Sequence, residues 1–287
     1  MRIGNRDGRA VLIDPQGGAA DVDRASGGRF GPDPQSLMEH WADFRHWADS
    51  WTGSGEPYDE ASLLAPVPMP RQSIGIGRNY RAHAAEVGSE LPTLPMAFGK
   101  FSTCVGPPSG DVVLYSEHVD WEVELVLVIG AETWQVDESH AWQHVAGVTV
   151  GQDISDRQVQ FSGGINQLAL AKSFPGYGRL GPTLVTVDEL DDPDSLELRC
   201  ELNGETVQHA KTSDLIFAVP ELISRLSHHF RLLAGDIIWT GTPSGIGMAR
   251  TPPRYLRVGD DLASSIEGVG AMHHTFVDES TTREDHR

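Results

Sequence analysis

The sequence predicts an α+β fold that is rich in sheet and in loops, and three observations support this class. The chain of 287 residues contains 31 glycines and 18 prolines, which is typical of many tight turns between short elements. Residues 119–125 alternate between apolar and acidic side chains and run into an apolar stretch, 125–129. This pattern predicts a strand that enters the interior. Residues 37–51 place leucine, tryptophan and phenylalanine at near-helical spacing and predict a packed helix.

Residues 1–66 are predicted to form a small N-terminal domain. Short apolar runs on either side of an Asp-Gly turn predict a hairpin over residues 1–16. Residues 15–33 are polar and rich in glycine, so we expect a loop there. Asp33 and Pro34 are the residue types preferred at the N-cap and the first helical position, and they begin the helix that carries the aromatic residues.

A proline-rich stretch, 65–70, marks the predicted boundary to the main domain, 67–277. Residues 73–86 predict a short strand, a glycine-rich turn and a helix. Residues 278–287 are polar and charged, and we predict a disordered tail.

Within the alternating stretch, Asp120, Glu122 and Glu124 share one face of the predicted strand. A solvated acidic face is the alternative interpretation, and it is the commoner one. However, like charges repel at this spacing, and Glu124 lies where the chain enters the interior. A buried ionised carboxylate needs a partner, and oxygen ligands favour a hard cation such as Mg²⁺. We therefore predict that Glu122 and Glu124 bind a metal ion.

A third ligand is predicted at Asp153, which falls at the end of the strand predicted over residues 145–150. Ser155 or Asp156 would cap the short helix that follows and that carries Arg157 and Gln160.

His83 and Glu86 are three residues apart on the helix predicted within 73–86, so they are neighbours on one face. A carboxylate beside an imidazole orients it and suits a general base. An ordinary surface pair is the alternative and is favoured on local evidence alone.

Lys172 would stabilise a developing oxyanion beside the metal, and a surface lysine is an equal alternative.

The sequence contains two further glycine-rich segments. Residues 176–181 match G-x-G-x-x-G, but Pro182 and a β-branched run follow where a dinucleotide site needs a helix, so we reject that match. The turn after residues 237–239 offers backbone N–H groups and the Thr242 hydroxyl to a carboxylate.

The charge balance excludes several classes of partner. Aspartate and glutamate outnumber lysine and arginine by 41 to 22, which gives a formal net charge of -19. Such a surface repels phosphate backbones and anionic membranes. The two cysteines lack metal-site spacing, and neither a signal peptide nor a run of transmembrane length occurs. We expect a soluble cytoplasmic protein that acts on a small molecule.

Taken together, the motifs occur in an order that closely resembles the fumarylacetoacetate hydrolase superfamily, over roughly residues 70–277. The motifs that carry the resemblance are Gly77-Arg78-Asn79-Tyr80-x-x-His83-x-x-Glu86, Asp120-Trp121-Glu122-Val123-Glu124-Leu125, Gln152-Asp153-Ile154-Ser155-Asp156-Arg157, Lys172-Ser173-Phe174, Thr240-Gly241-Thr242-Pro243-Ser244-Gly245-Ile246-Gly247 and Ile266-Glu267-Gly268-Val269-Gly270.

The resemblance implies a mixed β-sandwich roll with a small N-terminal α/β segment, and usually a homodimer. It implies that Mg²⁺ or Mn²⁺ is held by the three carboxylates and that a segment carrying the histidine and the glutamate closes over the substrate as a lid. The resemblance also supplies the candidate catalytic and substrate-binding residues: His83, Glu86 and Lys172 in catalysis, and Arg78, Tyr80, Arg157, Gln160 and Thr242 in substrate binding.

Two departures from the family pattern stand out. Gln152 replaces the asparagine that is common before the third ligand, and residues 248–258 contain no clear match for the acidic residue that assists the histidine of the mammalian hydrolase.

Members of this superfamily act on 2-oxo acids and acylpyruvates. Our leading hypothesis is a metal-dependent hydrolase that cleaves a C–C bond in an acylpyruvate-type 2-oxo acid. The alternative is a decarboxylase, isomerase or tautomerase of 2-oxo diacids such as oxaloacetate or the 2-oxo-ene-dioates of aromatic catabolism. A non-catalytic protein that binds 2-oxo acids is the third hypothesis.

Overall fold

The computed structural model describes residues 1–279. Of the predicted tail, 278–287, residues 280–287 lie outside the described part. Within the described part, Asp278 is the last residue of the last strand. No helix in residues 1–279 is long and apolar enough to cross a membrane.

The described residues form eighteen strands. In chain order they are β1 (Arg2–Arg6), β2 (Arg9–Ile13), β3 (Ala19–Asp21), β4 (Leu63–Leu64), β5 (Ser73–Gly77), β6 (Met96–Gly99), β7 (Val105–Gly106), β8 (Ser109–Leu114), β9 (Val119–Asp120), β10 (Val123–Ile129), β11 (Val145–Asp153), β12 (Ser155–Asp156), β13 (Gly178–Val185), β14 (Glu197–Leu202), β15 (Glu205–Lys211), β16 (Ile237–Trp239), β17 (Asp261–Ile266) and β18 (Gly270–Asp278).

Seven α-helices connect or cover the strands in the same part of the chain. They are α1 (Val22–Ala25), α2 (Pro34–Glu39), α3 (Trp41–Ser50), α4 (Arg81–Glu86), α5 (Arg157–Gln160), α6 (Leu168–Ala171) and α7 (Val219–Ser227).

Two mixed sheets pack face to face, which confirms the predicted α+β class and its sandwich. The larger sheet runs β3-β2-β1-β13-β11-β10-β16-β5-β6, with β4 beside β1 and β7 beside β13. The smaller sheet runs β15-β14-β17-β18-β8. Apolar side chains from both sheets, such as Leu127 and Val148 from one and Leu198 and Leu262 from the other, belong to one hydrophobic core. Strands β9 and β12 form a separate pair.

Strand β10 lies at the centre of the larger sheet and is buried on both faces, as its apolar run predicts. Leu125 and Leu127 contribute to the core between the sheets. Val126 and Val128 point the other way and join a second core with the side chains of α2 and α3. All seven residues of β10 are buried, so the carboxylate of Glu124 belongs to the interior.

The N-terminal residues extend the larger sheet. The predicted hairpin is confirmed: β1 and β2 pair antiparallel, and Asp7 and Gly8 in the turn both have positive φ. The loop predicted over 15–33 is wrong in part, because β3 and α1 form within it. Asp33 caps α2 as predicted, but the helix breaks at His40 and continues as α3.

The acidic stretch is not the single strand that alternation predicts. Strand β9 ends at Asp120 and β10 begins at Val123, so Trp121 and Glu122 lie outside both strands. The backbone N–H of Glu122 donates to the side chain of Gln152 on the neighbouring strand β11 rather than to a backbone carbonyl group. No local sequence pattern encodes this contact.

One buried histidine makes the stability of the smaller sheet sensitive to acid. His274 on β18 is 1% exposed, and its Nε2 lies 3.2 Å from the carbonyl oxygen of Pro107. Burial and the nearby Arg179 lower the pKa of His274 to about 3. Between about pH 6.5 and about pH 3 the unfolded chain therefore binds a proton at this residue that the folded chain does not bind.

We expect the free energy of unfolding to fall by about 1.4 kcal/mol for each pH unit below pH 6.5 on account of this group, or about 2 kcal/mol by pH 5. Urea unfolding between pH 7 and pH 5 measures this slope. In the variant His274→Gln the slope flattens, whereas the control His229→Gln, at an exposed histidine, keeps the wild-type slope. An unchanged slope in His274→Gln would contradict the assignment.

Candidate active site

A cavity of about 240 Å³ opens beside the interrupted acidic stretch. Its polar lining comes from segments that are far apart in sequence, and its apolar lining includes Ile76, Met96 and Phe98 from the strand pair β5–β6. The predicted site residues that line it are Arg78, His83, Glu122, Glu124, Asp153, Arg157, Gln160, Lys172 and Thr242.

Three buried carboxylates converge on one wall of this cavity. Glu122, Glu124 and Asp153 each offer an oxygen, and these oxygens all lie within 4.8 Å of one another. The antiparallel pairing of β10 with β11 brings the segments together, and the Asp153 N–H donates to the Glu122 carbonyl oxygen at 2.8 Å. The structure thus brings together the residues that the sequence predicts as metal ligands.

Two lysines contact the carboxylate cluster. The Nζ atom of Lys172 lies 2.6 Å from Glu122 Oε2 and 2.8 Å from Asp153 Oδ2. Lys100 donates to Asp153 Oδ1 and to the Lys172 carbonyl oxygen. Lys100 was not predicted from the sequence, where the one signal is that it directly follows the strand β6 among apolar residues.

Arg157 holds the other side of the cluster. Its Nε donates to Asp120 Oδ2 at 2.9 Å, and its Nη2 donates to Glu122 Oε1 at 2.7 Å. Asp120 also accepts the backbone N–H groups of Gly247 and Met248. Asp120 therefore serves as the counter-ion of Arg157. The cations that offset the acidic stretch come from other segments of the chain.

The surroundings shift the pKa values of Glu122 and Glu124 in opposite directions. Burial disfavours the charged form of Glu122, but Lys172 and Arg157 outweigh burial and lower its pKa to about 2. Burial together with the neighbouring Asp153 and Glu122 raises the pKa of Glu124 well above its usual range. Glu124 accepts the Gly241 N–H at 2.9 Å, and no ion pair within residues 1–279 reaches it.

The donor set fits a hard divalent cation. It consists of three carboxylates in the wall of a cavity, with oxygens close enough to share one ion. Four buried carboxylates, with Asp120 included, face three buried cationic side chains, and Glu124 is the carboxylate that lacks a cationic partner among the described residues. A bound cation would supply the positive counter-charge that the Glu124 carboxylate lacks.

His83 and Glu86 form a pair on α4. His83 Nδ1 lies 3.1 Å from Glu86 Oε2, and the other carboxylate oxygen of Glu86 accepts the Gly245 N–H at 2.8 Å. His83 lines the cavity and is 7% exposed. Because the carboxylate orients the imidazole through Nδ1, the opposite ring nitrogen, Nε2, is left for proton transfer.

The remaining predicted residues fall into different positions. Arg78 lines the cavity, adopts a positive φ of 55° and donates to Ser89 Oγ. Gln160 accepts from Arg157. The Thr242 hydroxyl donates to the Val123 carbonyl oxygen and accepts from Gln208 Nε2, so one lone pair remains for another partner.

Tyr80 requires a correction. Its side chain is 1% exposed, packs in the core between the sheets and is absent from the cavity lining. The residue lies in the segment between β5 and α4, where its ring turns inward, so the substrate contact predicted for it does not fit the structure.

Comparison with known proteins identifies the family. The model of the fumarylacetoacetate hydrolase C-terminal domain matches residues 72–277. The mitochondrial oxaloacetate tautomerase FAHD2A of Bos taurus is 39% identical over 223 residues, which cover 77% of this chain and 71% of that protein. A crystal structure of a protein proposed to be HpcE from Mycobacterium smegmatis is 48% identical, with a TM-score of 0.93, and the match covers 97% of this chain and all of that one.

A second solved structure is more distant but holds ligands. It is the maleylpyruvate hydrolase of Sphingobium sp. SYK-6 in complex with manganese(II) and pyruvate, at 27% identity and a TM-score of 0.80, and the match covers 97% of this chain and 99% of that one. The family model covers most of the chain, and these relatives are enzymes by name. The chain therefore belongs to the fumarylacetoacetate hydrolase family of enzymes.

Proposed function

We propose that this enzyme is a divalent-cation-dependent tautomerase or isomerase of a 2-oxo dicarboxylic acid such as oxaloacetate. The observation that carries the proposal is that an acidic cluster and an arginine line the same cavity. A carboxylate cluster suited to a cation lies in one wall, and Arg78, whose guanidinium forms no ion pair within the described residues, lines the same cavity. One end of a diacid would bind at the cation and the other at Arg78.

The oxo-acid end of the substrate belongs at the carboxylate cluster. Glu122, Glu124 and Asp153 would hold Mg²⁺ or Mn²⁺, and a bound cation of this kind supplies Lewis-acid polarisation of the 2-oxo-carboxylate group. Lys172 uses two of its three N–H donors on Glu122 and Asp153. The third donor would stabilise negative charge on a substrate oxygen.

His83 would move the proton. In the ketonisation direction, Nε2 accepts the proton of the enol hydroxyl and returns a proton to the carbon beside the carbonyl, so the substrate keeps all its atoms. Glu86 stabilises the imidazolium that forms between the two transfers. General acid–base catalysis by a positioned side chain of this kind contributes about 10²- to 10⁴-fold in rate.

The curated relative at 39% identity supports this class of reaction, because it is named an oxaloacetate tautomerase. Hydrolysis of an acylpyruvate is a second candidate function. It is favoured by the likeness to the maleylpyruvate hydrolase that holds manganese and pyruvate. In that reaction the same His83–Glu86 pair would activate a water molecule.

A product assay separates the two functions. The full-length protein is incubated with Mg²⁺ or Mn²⁺ and, in turn, with the enol form of oxaloacetate, a longer 2-oxo-ene-dioate and an acylpyruvate. A tautomerase accelerates the decay of the enol absorbance without new carbon fragments, whereas a hydrolase releases pyruvate and a second acid. A protein loaded with cation that changes none of these substrates would contradict both candidates.

The first prediction from the proposed function concerns cation binding. We expect chelation to abolish turnover and added Mn²⁺ to restore it. The substitution Glu124→Gln removes one of three carboxylate ligands, so the dissociation constant for Mn²⁺, measured by electron paramagnetic resonance, should rise by at least about 100-fold. The control Glu197→Gln removes an exposed carboxylate from β14 and should bind Mn²⁺ like the wild type. Turnover that survives chelation would disprove the cation site.

The second prediction concerns the proton-transfer pair. We expect His83→Gln to lower kcat by about 10²- to 10⁴-fold while Mn²⁺ affinity stays within about twofold of wild type. A matched control exists on the surface, where His209 Nε2 lies 2.9 Å from Glu197 Oε1. His209→Gln should leave kcat unchanged, and an equal effect of the two substitutions would exclude His83 as the base.

The third prediction concerns Arg78. Losing a charge-assisted hydrogen bond costs about 1.5–3 kcal/mol, so Arg78→Met should raise KM for a 2-oxo diacid by about 10- to 100-fold. The KM of a 2-oxo acid with one carboxylate should not change. Arg81→Met, at an exposed residue of α4, is the control. Equal effects of Arg78→Met on the diacid and the monoacid would argue against recognition of a second carboxylate.

A further inference from the structure

Two buried glutamines contact the backbone where the acidic stretch leaves the sheet. Gln152 and Gln208 are 0% and 1% exposed. Gln152 lies on β11 of the larger sheet, and Gln208 lies on β15 of the smaller sheet. Their amides accept the N–H groups of two consecutive residues, Glu122 and Val123.

Gln152 connects Glu122 to the opposite sheet. Its Oε1 accepts the Glu122 N–H, and its Nε2 donates to Ser264 Oγ at 2.9 Å. Ser264 lies on β17 of the smaller sheet. The Glu122 carbonyl oxygen is held separately by the Asp153 N–H. Both backbone polar groups of Glu122 are therefore fixed by two adjacent residues of β11.

Gln208 contacts the backbone of the next residue, Val123. Its Oε1 accepts the Val123 N–H at 3.0 Å, and its Nε2 donates to Thr242 Oγ1 at 2.8 Å and to the Pro243 carbonyl oxygen at 2.9 Å. The Thr242 hydroxyl in turn donates to the Val123 carbonyl oxygen at 3.0 Å. Residue 123, which lies between the two glutamate ligands, is thus held on both of its backbone polar groups.

These contacts replace the strand pairing that the interruption removes. A buried N–H without a partner is costly, so without the glutamine amides the chain at 122–123 would shift to find other acceptors. Such a shift would move the Glu122 carboxylate relative to those of Glu124 and Asp153. Mutating a residue that orients a metal ligand through hydrogen bonds typically lowers cation affinity by about 10- to 100-fold.

We propose that Gln152 and Gln208 are positioning residues that set the spacing of the Glu122 and Glu124 carboxylates for a divalent cation. The proposal rests on the cation-dependent function proposed above. It also assigns a role to the buried amide of Gln152, which reaches both Glu122 and Ser264.

The test uses the full chain with Gln152→Leu and Gln208→Leu, which keep similar volume and remove the amide. Mn²⁺ affinity is measured by electron paramagnetic resonance, and thermal unfolding shows that each variant is folded at the assay temperature. We expect the dissociation constant to rise by about 10- to 100-fold in each variant and turnover to recover at saturating Mn²⁺. Thr149→Val is the matched control, since Thr149 is buried on the same strand as Gln152 and its hydroxyl lacks a partner.

Wild-type Mn²⁺ affinity in folded leucine variants would overturn the proposal, and so would a loss of turnover that saturating Mn²⁺ does not rescue. If a leucine variant does not fold, Gln152→Asn decides, because it keeps an amide in the interior but shortens its reach by one methylene. A raised dissociation constant supports the proposal, and an unchanged one overturns it. Wild-type protein that binds no Mn²⁺ would instead contradict the cation-dependent function.

Discussion

The buried charge cluster is the constraint on which the rest of this structure depends. Glu122 and Asp153 are ion-paired to Lys172, Asp153 also to Lys100, and Glu122 also to Arg157. Buried charges are tolerated only where they are paired and hydrogen-bonded, so the segments that carry these residues must keep fixed positions relative to one another. The sandwich brings them together, and the excess of carboxylate over cationic groups makes a site for a further positive charge.

Much of the fold follows from local chemistry in the sequence. The Asp7-Gly8 and Asn203-Gly204 turns adopt positive φ, as their hairpins require. The double-sided apolar run of β10 predicts its central place in the sheet. Sequence reasoning failed where long-range contacts decide the outcome. The interruption at residues 121–122, where the Glu122 N–H contacts the distant Gln152, has no local signal, and β3 pairs with β2 although its segment is polar and rich in glycine.

The candidate site divides in the same way. The three carboxylates were predictable because Glu122 directly precedes β10, Glu124 lies on it and Asp153 ends the neighbouring strand β11, so the pairing of these two strands brings them together. The pairing of these carboxylates with Lys100, Arg157 and Lys172 was not predictable, because the three cationic residues come from three other segments of the chain. Asp120 looks like a fourth ligand in the alternating pattern, but its hydrogen bonds to Arg157 and Gly247 commit it to another role.

The turn over residues 240–245 relates the proposed base to the proposed cation site. The Gly241 N–H contacts Glu124, the Thr242 hydroxyl contacts the backbone of Val123, and the Gly245 N–H contacts Glu86. Glycine is required at the last position, where φ is 105° and a Cβ would lie 2.0 Å from the Val207 carbonyl oxygen. Because one short turn contacts both a predicted ligand and the partner of His83, it connects the proposed base to the proposed cation site. Under the proposed function, the chemistry would depend on what occupies the space between them, a substrate carbon for tautomerisation or a water molecule for hydrolysis.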